Sequence, residues 1–372
     1  MAARARALVH PRLDGWLLGG LGVVAWLVVR QLGSATAPIT GVVSGAFLTT
    51  AAMHFGASYH LAYGDGLRSL RRHPFALVGA PLLLIAAAAA VVVGQANGQA
   101  AASAWLLRAL LVSVFTLTGW HYVKQAYGVG MLSARSRGMR PTKHEVLVLR
   151  YGLYPVWLYD VLEIYGRGRN ASYGGYDVTV SIVPAAWQPI GRVVAIVSLT
   201  AALAVMVRLA LRARTAPPLG LIGAYVAGGL WFIAPPGYVS AALVLAGIHG
   251  IQYLTCAHRA EVDLAVERRE QHLVHRWLCV FGGAAAGGLL LTTWLPEIGG
   301  ATFASAELPN MIGVLVFAFF NLHHYAVDAV IWRSGGDHVV RMSKGPQPAP
   351  LDGEPTPGRV PTPVGAPVPS LA

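Results

Sequence analysis

Long apolar runs separated by short polar loops occupy most of the chain. About 20 consecutive apolar residues are needed for a helix to cross a bilayer. Runs of roughly that length occupy residues 15–32, 38–64, 75–95, 103–131, 145–165, 187–211, 217–234, 238–258, 276–296 and 309–333. The pattern predicts an all-α, polytopic transmembrane helical bundle of about ten helices.

The end of the chain has a different composition. Residues 345–372 are dense in Pro and Gly and contain almost no large apolar side chain. Such a segment cannot bury enough surface to offset the entropy of folding. The sequence therefore predicts a transmembrane helical domain at 1–344 and a disordered, Pro-rich cytoplasmic tail at 345–372.

Composition and charge support a membrane location. The 372 residues are 55% hydrophobic and only 12% charged, with a formal net charge of +12. The basic residues concentrate in alternate loops, which by the positive-inside rule places both termini in the cytoplasm. Because they lie in short loops and not on one soluble face, nucleic acid is not an expected partner. We expect a multi-pass protein of a bacterial inner (plasma) membrane, with the lipid bilayer as its main partner.

The first predicted span has a second interpretation. The segment SATAP near residue 37 offers an Ala-x-Ala cleavage site after a basic start, as in a secretory signal peptide. Arg30 interrupts the end of the hydrophobic region that such a peptide needs. Cleavage would leave the other predicted spans and their orientation unchanged.

Histidines recur inside four predicted spans. The residues are His54 and His60, His121, His249, and the adjacent pair His323 and His324. By the predicted topology these four spans all run from outside to inside, and the histidines lie in their cytoplasmic halves. Ionisable groups within a membrane cost several kcal/mol or more unless they have partners. The recurrence therefore predicts a common buried site.

Helical spacing adds polar neighbours to these histidines, because residues three and four apart share a helix face. Asp328 lies one turn after His324, and Lys124 one turn after His121. Gln252 and Tyr253 lie one turn after His249. The 3.6-residue period turns His323 about 100° away from His324, so His323 reaches a shared site only at a helix junction.

Imidazole and carboxylate donors favour iron, zinc, copper or manganese. The two cysteines, Cys256 and Cys279, lie in apolar runs without a CxxC partner, so a thiolate zinc site or a disulfide framework is not indicated. Many histidines with one carboxylate suit non-haem iron, mononuclear or dinuclear, with zinc or copper as alternatives. The predicted metal ligands are His54, His60, His121, His249, His323, His324 and Asp328.

Iron in a membrane suggests activation of dioxygen towards an apolar molecule. We expect a hydrophobic small-molecule substrate that arrives laterally from the bilayer. A cytoplasmic electron donor is a further expected partner. Lys124, Gln252 and Tyr253 are the predicted catalytic or substrate-orienting residues.

The fragments MHFG (53–56) and NLHHYAVD (321–328), with histidines on parallel spans, carry a family resemblance. The chain resembles the polytopic membrane histidine-cluster oxygenases, including the Brp/Blh-type carotenoid-cleaving dioxygenases. It is similar more loosely to the membrane di-iron hydroxylases and desaturases. The resemblance implies a metal-dependent membrane oxidoreductase that acts on a lipid or isoprenoid and uses His54, His121, His249, His323 and His324.

Two other classes of protein could use the same residues. A haem-binding membrane redox protein could take histidine pairs as axial ligands, and HGIQY has the His-x-x-x-Tyr spacing of haem–copper oxidases. A proton or metal-ion transporter could use intramembrane His, Lys and Asp as an ion path. No inverted repeat of the kind common in transporters is visible in the sequence.

Overall fold

The computed structural model describes residues 7–32, 37–166, 186–235, 240–302, 311–333 and 336–344, with short pieces at 172–173, 176–177 and 183–184. The described part is helical apart from one pair of two-residue strands, Ser172–Tyr173 and Tyr176–Asp177. The predicted all-α class is therefore confirmed. The predicted tail at 345–372 lies outside the described residues.

The described residues form fourteen α-helices. In chain order they are α1 Leu21–Leu32, α2 Ala37–Tyr63, α3 Leu67–Arg72, α4 Ala80–Ala96, α5 Ala100–Ser136, α6 Lys143–Tyr151, α7 Tyr154–Gly166, α8 Trp187–Ala213, α9 Leu219–Ile233, α10 Ser240–Glu267, α11 Leu273–Leu289, α12 Leu295–Thr302, α13 Met311–Ile331 and α14 Asp337–Lys344. Wider π-helical turns at Trp16–Gly20, Phe75–Gly79 and Leu290–Trp294 lead into α1, α4 and α12.

Five helical segments among the described residues are long and apolar enough to cross a membrane. They are Phe75–Ala96, Ala100–Ser136, Trp187–Ala213, Leu273–Ile298 and Met311–Ile331, and each overlaps a predicted span. Trp16–Gln31 and Leu219–Ile233 are apolar but shorter. The protein is thus a helical membrane protein, while the total of about ten spans and the cytoplasmic termini stay predictions.

One predicted span is divided in the structure. Residues 145–165 form α6 and α7, which meet at a turn at Gly152–Leu153. Pro155 has no N–H with which to bond the carbonyl four residues earlier, and this breaks the helical ladder. A capping box on Thr142 and Glu145 fixes the start of α6.

Helix α2 lies at the centre of the part that holds the histidines, packed against both α10 and α11. Close approach of these backbones depends on glycine. A Cβ on Gly250 would lie 2.8 Å from the carbonyl oxygen of Thr50, and one on Gly288 would lie 1.8 Å from that of Ala52. Both distances are below any normal contact, so α2 can meet α10 and α11 only where the side chain is absent.

Candidate metal centre

Four buried histidines lie close together at the centre of the helix bundle. They come from four helices: His54 from α2, His121 from α5, His249 from α10 and His324 from α13. One ring nitrogen of each lies within 4.8 Å of the corresponding nitrogen of every other. All four residues are at most 6% exposed. This histidine cluster could bind a metal ion.

The four rings form a closed cycle. The ring centroids are 4.7 Å apart between His54 and His324, 4.9 Å between His324 and His121, 4.8 Å between His121 and His249, and 5.0 Å between His249 and His54. Neighbouring rings are inclined to one another by 67° to 90°. The Nε2 atoms of His54 and His324 are 3.1 Å apart, as are those of His121 and His249.

Backbone and hydroxyl partners constrain the tautomers of two of these rings. The Nδ1 atom of His54 lies 2.6 Å from the carbonyl oxygen of Ala51, which can only accept, so this nitrogen carries the proton. Ser58 donates its hydroxyl proton to the carbonyl of Phe55 at 2.9 Å. In that arrangement its oxygen accepts from Nδ1 of His324, also 2.9 Å away. The opposite assignment, in which Ser58 donates to Nδ1, puts the proton of His324 on Nε2.

In the first assignment, two unprotonated nitrogens face each other. With the proton on Nδ1 in both neutral rings, the Nε2 atoms of His54 and His324 each present a lone pair across 3.1 Å. Two lone pairs at that distance repel unless a positive charge lies between them. A proton would leave an imidazolium ion buried in hydrocarbon, which is costly, whereas a metal ion is coordinated by both atoms.

Asp328 adds a carboxylate to the same place. Its Oδ2 atom lies 3.5 Å from Nε2 of both His121 and His324. Neither carboxylate oxygen has a partner in hydrogen-bond geometry, although the Tyr253 hydroxyl faces the group. In the first assignment the N–H of His324 is taken by Ser58, so Asp328 does not orient that ring. Its free oxygens instead make it a candidate fifth ligand.

Aromatic rings and amides hold the other two histidines. Tyr122 stacks on His249 at 4.3 Å between centroids, and the Tyr325 ring lies 5.0 Å from that of His121. The amide nitrogen of Gln125 donates to the carbonyl of His249 at 2.9 Å and to Oε1 of Gln252 at 3.0 Å. These contacts fix α10 against α5 beside the cluster.

The structure does not bring His323 or His60 into the cluster. Nε2 of His323 lies 3.2 Å from the carbonyl of Ala76, and Nδ1 lies 2.8 Å from the Tyr59 hydroxyl, so both of its nitrogens have protein partners. Nε2 of His60 lies 3.3 Å from a carboxylate oxygen of Glu261. The turn of about 100° per residue explains why neighbours in sequence have such different surroundings.

The predicted catalytic residues occupy three different settings. Gln252 donates to the carbonyl of Leu18 at 2.8 Å and so ties the N-terminal segment to α10. The Tyr253 ring lies 5.3 Å from that of His54. The Lys124 ammonium lies 4.1 Å above the Trp120 ring. Lys124 and Tyr253, but not Gln252, line a cavity that reaches the cluster.

That cavity has a volume of about 590 Å³, which is in the usual range for a ligand pocket. His121 and Asp328 form part of its wall, so a molecule inside it contacts the cluster. It lies between α5 and α6 on one side and α10, α13 and α14 on the other. We call it the cluster cavity.

Sequence reasoning missed Ser58, the residue that sets the tautomer of His324. The signal was present, because Ser58 lies four residues after His54 and hence on the same helix face.

Comparison with known proteins gives no relative: no protein-family model, curated protein or solved structure matches the chain.

Proposed function

We propose that the protein is a membrane-embedded non-haem iron enzyme of the oxygenase, hydroxylase or desaturase class, acting on a lipid or isoprenoid. The observation that supports it is the cycle of four buried histidines, in which the Nε2 atoms of His54 and His324 are 3.1 Å apart with the Asp328 carboxylate beside them. The proposal places this site in the cytoplasmic half of a bacterial inner membrane, with both termini in the cytoplasm.

The donor set favours iron over structural zinc. Four imidazoles and one carboxylate exceed the four ligands of a closed tetrahedral zinc site. Mixed imidazole and carboxylate ligation is typical of non-haem iron oxygenases.

Iron held there would supply the reduction chemistry that dioxygen needs. The chain itself would contribute ligands and orientation of the substrate. Asp328 would offset the positive charge of the ion, and the tyrosine and tryptophan rings of the cluster cavity would contact the apolar part of the substrate. Insertion of one oxygen atom into a C–H bond leaves the other to become water with electrons from a donor, whereas cleavage of a C=C bond by dioxygen consumes both atoms.

Haem fits the cluster less well than a single ion. A porphyrin must lie between its two axial imidazoles, yet the facing Nε2 atoms are only 3.1 Å apart. Ring centroids near 5 Å on all four sides of the cycle leave room for one ion and no macrocycle.

Metal content of the purified protein, measured by mass spectrometry with an optical spectrum of the same sample, tests the proposal. We expect stoichiometric iron without a Soret band in the wild type. His324→Ala and His249→Ala should both lose the iron. His323→Ala should keep it, because the His323 ring nitrogens already have protein partners.

Three results would contradict the proposal. A Soret band would indicate haem, and zinc in place of iron after expression in iron-rich medium would indicate non-redox chemistry. Metal-free wild-type protein that supports pH-dependent ion flux in liposomes would indicate transport.

A further inference from the structure

The cluster cavity has an unusual charge for a pocket in a membrane protein. Its lining includes Lys124, Arg135, Arg150 and Arg333, and its one carboxylate is Asp328 at the cluster end. We propose that the cavity binds an amphiphile with an anionic head, a carboxylate or a phosphate, held by Lys124 and Arg150. The inference rests on the proposed function only in treating this molecule as the substrate.

Lys124 carries the main argument because its charge is uncompensated. It is half-buried, and among the described residues its ammonium has no carboxylate or hydrogen-bond partner, only the face of Trp120. Its nearest charges include Arg150, which repels it, and Asp328. A half-buried ammonium with only a cation–π contact is costly, and an anion in the cavity would offset that cost.

The arginines of the cavity are also without carboxylates. In the described part of the chain, Arg135, Arg150 and Arg333 form no ion pair, and the Arg150 guanidinium lies 5.5 Å from the centre of the Tyr151 ring. The positive-inside rule explains arginines near the cytoplasmic surface but does not explain why they line one cavity unpaired. Arginine and lysine together are the usual ligands of carboxylate and phosphate groups.

The apolar part of the cavity wall suits the hydrocarbon chain of the proposed amphiphile. Between the cations the cavity is lined by large apolar and aromatic side chains: Trp120, Met131, Leu132, Val146, Trp332 and Met342. Such a wall excludes a small hydrophilic anion and accepts a hydrocarbon chain.

The position of Lys124 on α5 determines how far the anionic head group of the ligand lies from the histidine cluster. Lys124 lies three residues after His121, so it is roughly 4.5 Å farther along the helix axis at 1.5 Å per residue. A head group at Lys124 therefore places the first carbon atoms of the ligand, and not its far end, beside the cluster.

Bromine quenching of tryptophan fluorescence tests the inference on the full-length protein in a nonionic detergent, because Trp120 and Trp332 line the cavity. The probes are dibromostearate and its uncharged methyl ester, at a pH that ionises the carboxylate. We expect about tenfold tighter binding of the acid than of the ester, since charge-assisted hydrogen bonds are worth that much. Competition by dodecyl phosphate and by laurate then distinguishes a phosphate head from a carboxylate head.

Substitutions assign the effect to the cavity. Lys124→Met and Arg150→Gln should each lower the preference for the acid several-fold, and Lys124→Arg should restore it. The exposed Arg150 can be replaced with little risk to folding. Arg192→Gln, on an exposed position of α8, is the control and should leave the preference unchanged.

The test of ligand binding can succeed or fail independently of the test of iron binding. Equal affinity for acid and ester, or a preference that survives both Lys124→Met and Arg150→Gln, would overturn this inference even in iron-loaded protein. A strong preference for the acid in protein that binds no metal would support the anionic pocket while contradicting the oxygenase.

Discussion

The histidine cluster and the charged network around Glu261 both remove polar groups from water, yet they do so with different partners. In the network, Glu261 accepts from Nε and Nη2 of Arg276 at 3.0 and 2.7 Å, and Arg276 also binds Glu270. His60 joins at 3.3 Å from the Glu261 carboxylate. In the cluster, the corresponding atoms face one another and a carboxylate without hydrogen bonds.

The same contrast separates two adjacent residues of α13. Both ring nitrogens of His323 have backbone or hydroxyl partners, whereas Nε2 of His324 faces Nε2 of another cluster histidine, His54, at 3.1 Å. Burial alone therefore does not identify a functional histidine in this fold. The informative property is whether the protein itself supplies a partner for each nitrogen.

Loss of a cluster histidine should have the largest effect. A ligand present at 100 times its Kd stabilises the folded protein by about 2.7 kcal/mol, so iron should raise the Tm of the wild type by several degrees. His54→Ala should abolish this rise, and His60→Ala should retain it because His60 belongs to the network. Thermal unfolding with and without added Fe²⁺ measures the rise in Tm of both variants. An equal loss of that rise in His54→Ala and His60→Ala would contradict the distinction between the cluster and the network.

Asp328→Asn should have effects of opposite sign in the two metal states. In iron-loaded protein the loss of a charged ligand should weaken iron binding at least about tenfold. In metal-free protein the same change should raise the Tm, because an unpaired buried carboxylate is replaced by a neutral group.

Metal titration and thermal unfolding of the metal-free form are both needed for Asp328→Asn. A metal-free variant less stable than the wild type would show that Asp328 has a structural partner.

Ser58→Ala should have a smaller effect on iron. It removes the acceptor that fixes His324 in the required tautomer, and such outer hydrogen bonds contribute about tenfold or more to metal affinity. The matched control is Ser113→Ala, whose hydroxyl bonds only a carbonyl of its own helix, Ala109, at 2.8 Å. Competition with a chelator compares the two affinities, which should differ only at Ser58.

The smallest effect is expected at a surface ion pair, where Arg72 binds Asp337 and holds the pKa of that carboxyl below its usual value. Both side chains are more than half exposed, so the pair contributes only about 0.5 kcal/mol or less. A lowered pKa contributes stability above the unfolded value, and this is lost as the pH falls through the folded value.

The stability difference between the wild type and Asp337→Asn should therefore vanish in acid and shrink in high salt. Chemical unfolding at several pH values measures it. A difference that grows in acid would mean that Asp337 titrates in the opposite sense.

The sequence predicted the helical class, the membrane location and the histidines that meet, because long apolar runs and the helical period are local properties. It did not separate His54 from His60, or His324 from His323, as ligands. That distinction depends on partners distant in sequence, such as Glu261 for His60 and Ala76 for His323. The metal, the substrate and the termini's orientation stay predictions.

The glycine at position 250 has a consequence for which ions the site admits. It lies next to His249 and sets how near α10 comes to α2, because any larger residue would collide with the Thr50 carbonyl. The aperture between the imidazoles is thus dictated by main-chain spacing. The radius of the ion that fits would then depend on the absence of a side chain at Gly250. Gly250→Ala would change which metal ion binds without changing any of the proposed ligands.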